Sequence, residues 1–307
     1  VLVEQFIASF RRAPKRLILD FDATDDAVHG QQEGRFFHGY YDHYCFLPLY
    51  VFCGKQLLVS YLRPSKIIGA KHAWAILALL VKRLRQTWPK VRILLRADSG
   101  FCRWKMLRWC ERHSVDYLIG IATNKRLDAQ AKPFIDAAEQ HFQRTGRKQR
   151  RFHVMYYAAR TWDRRRRIIV KAEHTTQGSN PRYLVTNLKA QAQYLYDQLY
   201  CARGEMENRI KEQQLDLFAD RTSCHAWWPS QFRLLLSSLA YTLLEAIRRL
   251  ALDGTELANA YVGTIRLKLL KIGAVITRNT RRIRFLLSSA YPYQRLFAHV
   301  AARLQPA

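Results

Sequence analysis

The sequence predicts an α/β fold, a mixed sheet flanked by helices, with a β-rich segment before its late helices. Three observations carry that expectation. Short apolar runs of strand length recur at 17–21, 91–95 and 117–121. Segments with apolar residues at helical spacing lie between and after them. A two-residue turn signal, Gly54-Lys55, separates two further apolar runs.

In chain order, Val1 to Phe10 reads as the end of a helix. Because the chain starts at Val1 inside that helix, an N-terminal region is expected to be missing. Leu17 to Phe21 is a buried strand ending in acids. Cys45 to Cys53 and Gln56 to Leu62 form the hairpin. Ala70 to Trp88 is an amphipathic helix with Trp74, Leu77, Leu80, Val81 and Leu84 on its apolar face, ended by Pro89. Val91 to Leu95 is a strand closed by Asp98-Ser99-Gly100. Lys105 to His113 is a helix with Leu107 and Cys110 inward, and Tyr117 to Ile121 is a strand. Phe152 to Ala158, Arg166 to Ala172 and Tyr183 to Thr186 are strands of an arginine-rich β segment with a turn at 178–181. From Ala190 to Gln214 the period is helical again, through Leu195, Leu199, Met206 and Ile210. The remainder reads as helix, most strongly over Phe232 to Leu252.

Composition narrows the function. Lys plus Arg is 51 against 24 Asp plus Glu, a formal charge of +27, and 49% of the 307 residues are hydrophobic. Such a chain can bury a core, and it attracts polyanions because each cation placed at a phosphate releases counterions. The excess is concentrated. Arg144 to Lys171 holds eleven basic residues and one acid, Asp163, and no acid follows Glu256. Within the first cluster, Arg164, Arg165, Arg166 and Arg167 are candidate DNA contacts. Six cysteines are scattered without a C-x-x-C pair, which argues against a zinc site. There is no signal-peptide pattern and no apolar run of the roughly 18 residues that a spanning helix needs. A cytoplasmic, nucleoid-associated protein with no membrane partner is expected.

Acids gather at element ends in three places: Asp20-Phe21-Asp22, Asp98, and a helix carrying Glu205, Glu207 and Glu212. Residues two apart on a strand share a face, so Asp20 and Asp22 point the same way. Strand ends of an α/β sheet converge on one edge, where sites form. Carboxylates gathered there repel one another unless a cation lies between them. Two ions about 4 Å apart can activate an attacking oxygen and stabilise a leaving one at a phosphodiester. Hard oxygen donors suit Mg²⁺ or Mn²⁺. Taken singly, Asp98 is as well explained as a turn or cap former, and Glu207 as a surface residue.

At these residues the sequence resembles the DDE transposases of bacterial insertion sequences. One branch carries the signature Y-(2)-R-(3)-E-(6)-K, and Tyr200, Arg203 and Glu207 match it in type and spacing. The final Lys is replaced by Gln214, with Lys211 three residues earlier. DFDATDD at 20–26, HGQQEG at 29–34, LRP at 62–64, RADSGF at 96–101 and RLKLLKIGA from Arg266 resemble the group 1 branch. The similarity spans roughly Lys15 to Phe297.

The resemblance implies an RNase H-like sheet, a β insertion before the Glu-bearing helix, and a triad of Asp22, Asp98 and Glu207 as catalytic residues and ligands of two Mg²⁺ or Mn²⁺ ions. Asp20 remains the alternative first ligand. Arg203 would hold a phosphate or orient Glu207, Tyr200 would pack beside it, and Lys211 and Trp227 would meet DNA. The partners implied are double-stranded DNA, as terminal inverted repeats and target, and a second copy in a synaptic homodimer. The organisation expected is an N-terminal remnant at 1–14, a core at 15–125, a basic β-rich insertion at 126–188, the returning core at 189–253 and a basic helical region at 254–307.

Three rivals stand beside this reading. One is a decayed transposase that binds DNA without cutting. Another is a nuclease or resolvase that cuts without joining. The third is a haloacid-dehalogenase-type phosphatase, with Asp20 as nucleophile and Asp22 as general acid.

Overall fold

A computed structural model describes residues 1–305. The chain opens with a short helix, α1 (Leu2–Ala8), and enters β1 (Arg16–Ala23). Three short strands follow, β2 (Asp26–Ala27), β3 (Phe36–His38) and β4 (His43–Phe46), which form a small sheet of their own. β5 (Leu49–Cys53) and β6 (Gln56–Tyr61) make the expected hairpin, turning at Gly54 with φ +60°. The apolar run from Cys45 to Cys53 is therefore two strands rather than one. Pro48, which has no N–H to donate to a ladder, lies at the break.

Helix α2 (Ala73–Thr87) buries Leu77, Leu80, Val81 and Leu84, whereas Trp74, expected on that face, is half exposed. β7 (Arg92–Ala97), α3 (Trp104–Arg112) and β8 (Asp116–Ile121) follow as the pattern indicates. The next element was not foreseen. α4 (Lys125–Thr145) opens on the side-chain cap of Asn124 over the Leu127 N–H and closes on Gly146 at φ +64°. Its buried face is mostly small residues, Ala131 and Ala138 beside Leu127, and Pro133 interrupts it. Apolar periodicity is correspondingly faint.

β9 (Gln149–Tyr157), β10 (Arg166–Thr175), β11 (Gly178–Ser179) and β12 (Arg182–Thr186) extend the main sheet instead of standing apart from it. The sheet has nine strands in spatial order β11-β10-β12-β8-β7-β1-β5-β6, with β9 pairing β10. Only β1–β7 and β7–β8 are parallel.

After β12 one long helical segment crosses the sheet. It starts as α5 (Ala192–Tyr194), widens into a π turn over Leu195–Tyr200, tightens over Cys201–Arg203, and continues as α6 (Gly204–Lys211) and a second π turn to Asp216. α7 (Trp227–Ala251), α8 (Val262–Ile265) and α9 (Gln294–Leu304) complete the helices. The last third was expected to be all helix but is not: β13 (Ala274–Arg278) pairs with β14 (Ile283–Leu287) in an exposed hairpin. Val275, Ile276 and Thr277 face Leu286, Phe285 and Arg284 across it, β-branched and aromatic residues that favour pleated pairing, and the Asn279 side chain accepts the turn N–H groups of Arg281 and Arg282. Among the described residues, no helix is long and apolar enough to cross a membrane.

Alternation along the strands divides the core. Leu17, Leu19 and Phe21 of β1, with Ile93 and Leu95 of β7 and Tyr117 and Ile119 of β8, face α1 to α4. The intervening Ile18, Leu94 and Leu118 face Leu195, Tyr196 and Leu199 of the crossing helical segment. A third cluster packs Tyr50, Phe52 and Leu57 against α6, α7 and α8. Glu212 joins these helices. Its side chain is 1% exposed, bonded to Arg209 and Arg248 at 3.0 Å each, and it also accepts the Val262 N–H. Removing one partner of such a buried set leaves a charge without compensation.

Asp26 is a buried acid whose charge depends on pH. Its carboxylate accepts the Thr222 hydroxyl at 2.9 Å and is otherwise enclosed. Burial pushes its pKa up to about 7, with the neighbouring negative charges of Asp220 and Asp25 adding to the shift. A folded-state pKa above the unfolded value contributes stability that is present at low pH and lost as pH rises through about 7. Asp26→Asn keeps the Thr222 acceptor and removes the titration. Its melting temperature is expected to fall less than that of the wild type between pH 5.5 and pH 8; equal slopes in thermal melts would contradict this.

Candidate functional site

Parallel register builds the site. β1 and β7 pair with Asp20 beside Arg96 and Phe21 beside Ala97. Asp22 follows Phe21 on β1, and Asp98 follows Ala97 just past the end of β7, so both acids lie at the same end of the parallel pair. Asp20, Asp22, Arg96 and Asp98 all carry the parity of Ile18 and Leu94, which face the crossing helical segment. The four charged side chains are thus under that helix, at the carboxyl ends of neighbouring parallel strands, where an α/β sheet presents its ligands.

The first pair is complementary and the second is not. Arg96 forks onto Asp20, with Nε and Nη2 donating to the two carboxylate oxygens at 2.5 and 2.7 Å, and its third nitrogen donates to the Leu199 carbonyl. Asp20 and Arg96 are both buried. This interaction ties strand, neighbouring strand and helix together, and it occupies both oxygens of Asp20. The alternative first ligand is therefore engaged by Arg96, and that pair would have to open before Asp20 could act as the nucleophile of a phosphatase.

Asp22 and Asp98 instead lie at the wall of a cleft of about 400 Å³, lined also by Thr24, Tyr40, Tyr41, Arg203, Glu207, Lys211 and Gln214. Asp98 accepts the Gly100 N–H at 2.9 Å, closing the turn after β7. Arg203 reaches down from the helix. One of its nitrogens donates to Asp22 at 2.9 Å and another to Glu207, one helical turn on, at 2.5 Å. Burial raises the Asp22 pKa to about 6; Arg203 opposes that rise, and Asp98 and Glu207 reinforce it. Asp22 therefore feels the negative charge of both other acids.

Among the described residues, no three His, Cys, Asp or Glu side chains stand together closely enough to hold a metal ion as placed. The guanidinium of Arg203 occupies the position between Asp22 and Glu207, where a shared cation would neutralise them. The donor set still fits a hard divalent ion: carboxylates only, from two strand ends and one helix, lining one cleft.

Tyr200, Lys211 and Gln214 complete the helix side. Gln214, at the position where the signature has Lys, donates to the Asp25 carbonyl at 3.0 Å and braces the loop after β1, while Lys211 lines the cleft. Tyr200 is pressed onto the turn that carries Asp98.

Other expectations fare differently. Arg166 is buried, not a surface contact: it is bonded to Glu111 and to Asp163, both at 2.9 Å, in the interior of the β segment. Arg164 is ion-paired with Glu111, Arg165 donates to the Tyr156 carbonyl, and Arg167 to those of Leu188 and Ala190. Trp227 packs edge-on against Phe46 at 5.4 Å and over Gly34, whereas its neighbour Trp228 is 77% exposed.

One site residue had no sequence signal. A Cβ on Gly120, in β8, would sit 2.7 Å from the Tyr200 hydroxyl and 2.9 Å from the Ser99 amide. Only hydrogen lets the helix, β8 and the Asp98 turn meet. Gly120 lies within an apolar strand, and nothing in the spacing around it marks the contact.

A family model described as "Transposase DDE domain group 1" matches residues 1–307. No curated protein matches the sequence. Among solved structures, the cryo-EM structure of the piggyBac transposase synaptic complex with hairpin DNA is similar at 12% identity and a TM-score of 0.46, over 78% of this chain and 48% of that one. The chain spans about half the length of that protein.

Gly120→Ala is expected to cost about 1–3 kcal/mol through overpacking and to shift the Asp98 turn. Its melting temperature should fall, and double replacement with Tyr200→Phe, which removes the nearest clashing atom, should recover part of the loss. An unchanged melting temperature in Gly120→Ala would contradict the contact.

Proposed function

This chain belongs to the transposase DDE domain group 1 family, and from that premise we propose that it cuts DNA at the ends of an insertion sequence and joins them to a target, using Asp22, Asp98 and Glu207. The observation that supports the reading best is that these three acids, from two strand ends and a distant helix, line one cleft, two of them bridged by Arg203. The underlying sheet is read as RNase H-like: β6-β5-β1-β7-β8 is an antiparallel hairpin beside two parallel pairings.

In this reading the triad would hold two Mg²⁺ or Mn²⁺ ions. When bound, such ions polarise a phosphodiester and make an oxygen nucleophile available at neutral pH. The protein's own groups do the rest. The Arg96–Asp20 pair fixes the helix over the sheet, so Glu207 approaches the two aspartates at a set height. Lys211 and Arg203 put positive charge at the cleft where a phosphate would lie. The overall +27 charge draws DNA to the surface. The attacking group would first be water, and then the freed 3′-hydroxyl at a second phosphodiester. Two ends must be brought together for joining, so a dimer is the expected working form.

One observation favours a second reading, a chain that binds DNA without cutting: Gln214 is directed to the Asp25 carbonyl, away from any role as a cation at the DNA. A single assay separates the two. With Mn²⁺ and a labelled element end, the wild type is expected to nick and to transfer the strand. Asp98→Ala is expected to lose both activities, by about 10³-fold or more, while retaining DNA binding in a gel shift. A wild-type chain that binds but never nicks would favour the inactive reading, and an Asp98→Ala chain that still nicks would exclude the triad.

A further inference from the structure

The geometry points to Arg203 as an internal counter-cation that holds Asp22 and Glu207 together and must let go of both for a divalent ion to enter. The inference rests on the proposed reading of the triad as a metal site. Three observations carry it. Arg203 bonds both acids at once, from one side chain that is 16% exposed. The same acids belong to no cluster able to accept a metal as placed. Among the described residues, Asp98, the third member, makes no ion pair, and its hydrogen bond to the Gly100 N–H uses one oxygen while the side chain lines the cleft.

The physical logic is competition between two cations for one place. Three carboxylates at one sheet edge repel each other, and a bare cleft would spread or take up protons. A guanidinium suits the position because its planar fork can bind two acceptors at fixed separation. It cannot, however, satisfy the third acid from there. A divalent ion carries more charge and can accept oxygens from all three. Entry therefore requires the Arg203–Asp22 bond to break, and the arginine then faces the cleft instead of its own acids. The cost of breaking the two bonds is subtracted from the intrinsic affinity for metal. Arg203 thus weakens metal binding in the resting chain and lends stability to the metal-free fold. It is a positioning residue for the acids rather than a group that touches the reacting atoms.

Isothermal titration of the DNA-free, full chain with Mn²⁺, together with melts in EDTA, tests this. Arg203→Gln is expected to bind Mn²⁺ at least about tenfold more tightly than the wild type, a change of ~1.4 kcal/mol, and to melt lower in EDTA. Arg203→Lys, which keeps the charge but cannot fork across both acids, is expected to lie between the two, and it serves if the Gln variant does not fold without metal. Asp98→Asn is the control for the site itself. If Asp98→Asn loses Mn²⁺ binding but Arg203→Gln and Arg203→Lys bind no more tightly than the wild type, the counter-cation role is overturned and the metal site stands. If Asp98→Asn binds as the wild type does, or no form binds, the metal reading of the triad fails and the inference falls with it.

Discussion

Parallel pairing of β1 with β7 is the constraint on which the rest depends. It sets two charged pairs side by side along one face. Asp20 meets Arg96, opposite in sign, and the pair closes on itself and on the Leu199 carbonyl. Asp22 meets Asp98, equal in sign, and cannot be left so. A slip of one residue would turn these side chains to the α2 and α3 face and put Leu19, Phe21 and Ala97 in their place. The helix carrying Arg203 and Glu207 answers the second pair. The first pair holds that helix at the right height. Stability and site are therefore two outcomes of one register.

Much of this was legible in the chain, and the reason is periodicity. β1, β7 and β8 are continuous apolar runs because both faces are covered, and α2 and α7 repeat at helical spacing over many residues. Asp22 and Asp98 were visible as acids at the ends of such runs, and Arg203 and Glu207 as a spaced pair on a helix. What spacing could not show was partnership. Asp20 and Asp22 look alike in sequence, and only the neighbouring Arg96, far along the chain, separates a clamp from a site residue. Gly120 was invisible for the same reason: its neighbours, Tyr200 and Ser99, come from elsewhere in the fold. α4 was missed because its buried face is mostly alanine, and the β13–β14 hairpin because apolar Val275 and Leu286 interrupt the period-two pattern of Ile276, Ile283, Phe285 and Leu287.

The distribution of charge is likewise more structured than its sum. Several arginines in the basic β segment are spent on internal acids and carbonyls: Arg166 and Arg164 on Glu111, Arg167 on the chain after β12. Arg209 and Arg248 are spent on Glu212 at the helix junction. A net excess still faces outward, including Arg281, Arg282 and Arg284 of the terminal hairpin. The apolar residues exposed beside them, Val275, Ile276, Phe285 and Leu286, make that hairpin unlike a purely solvated surface.

The central claim is that three acids distant in sequence, Asp22, Asp98 and Glu207, meet at one divalent-metal site. Iron(II) bound in place of Mg²⁺, with peroxide and ascorbate, cleaves backbone within reach of the metal, and the fragments can be mapped by mass. The account predicts cuts near residues 22, 98 and 207 together, all suppressed by excess Mg²⁺. Cuts at one of these sites without the other two, or clustered elsewhere in the chain, would contradict it.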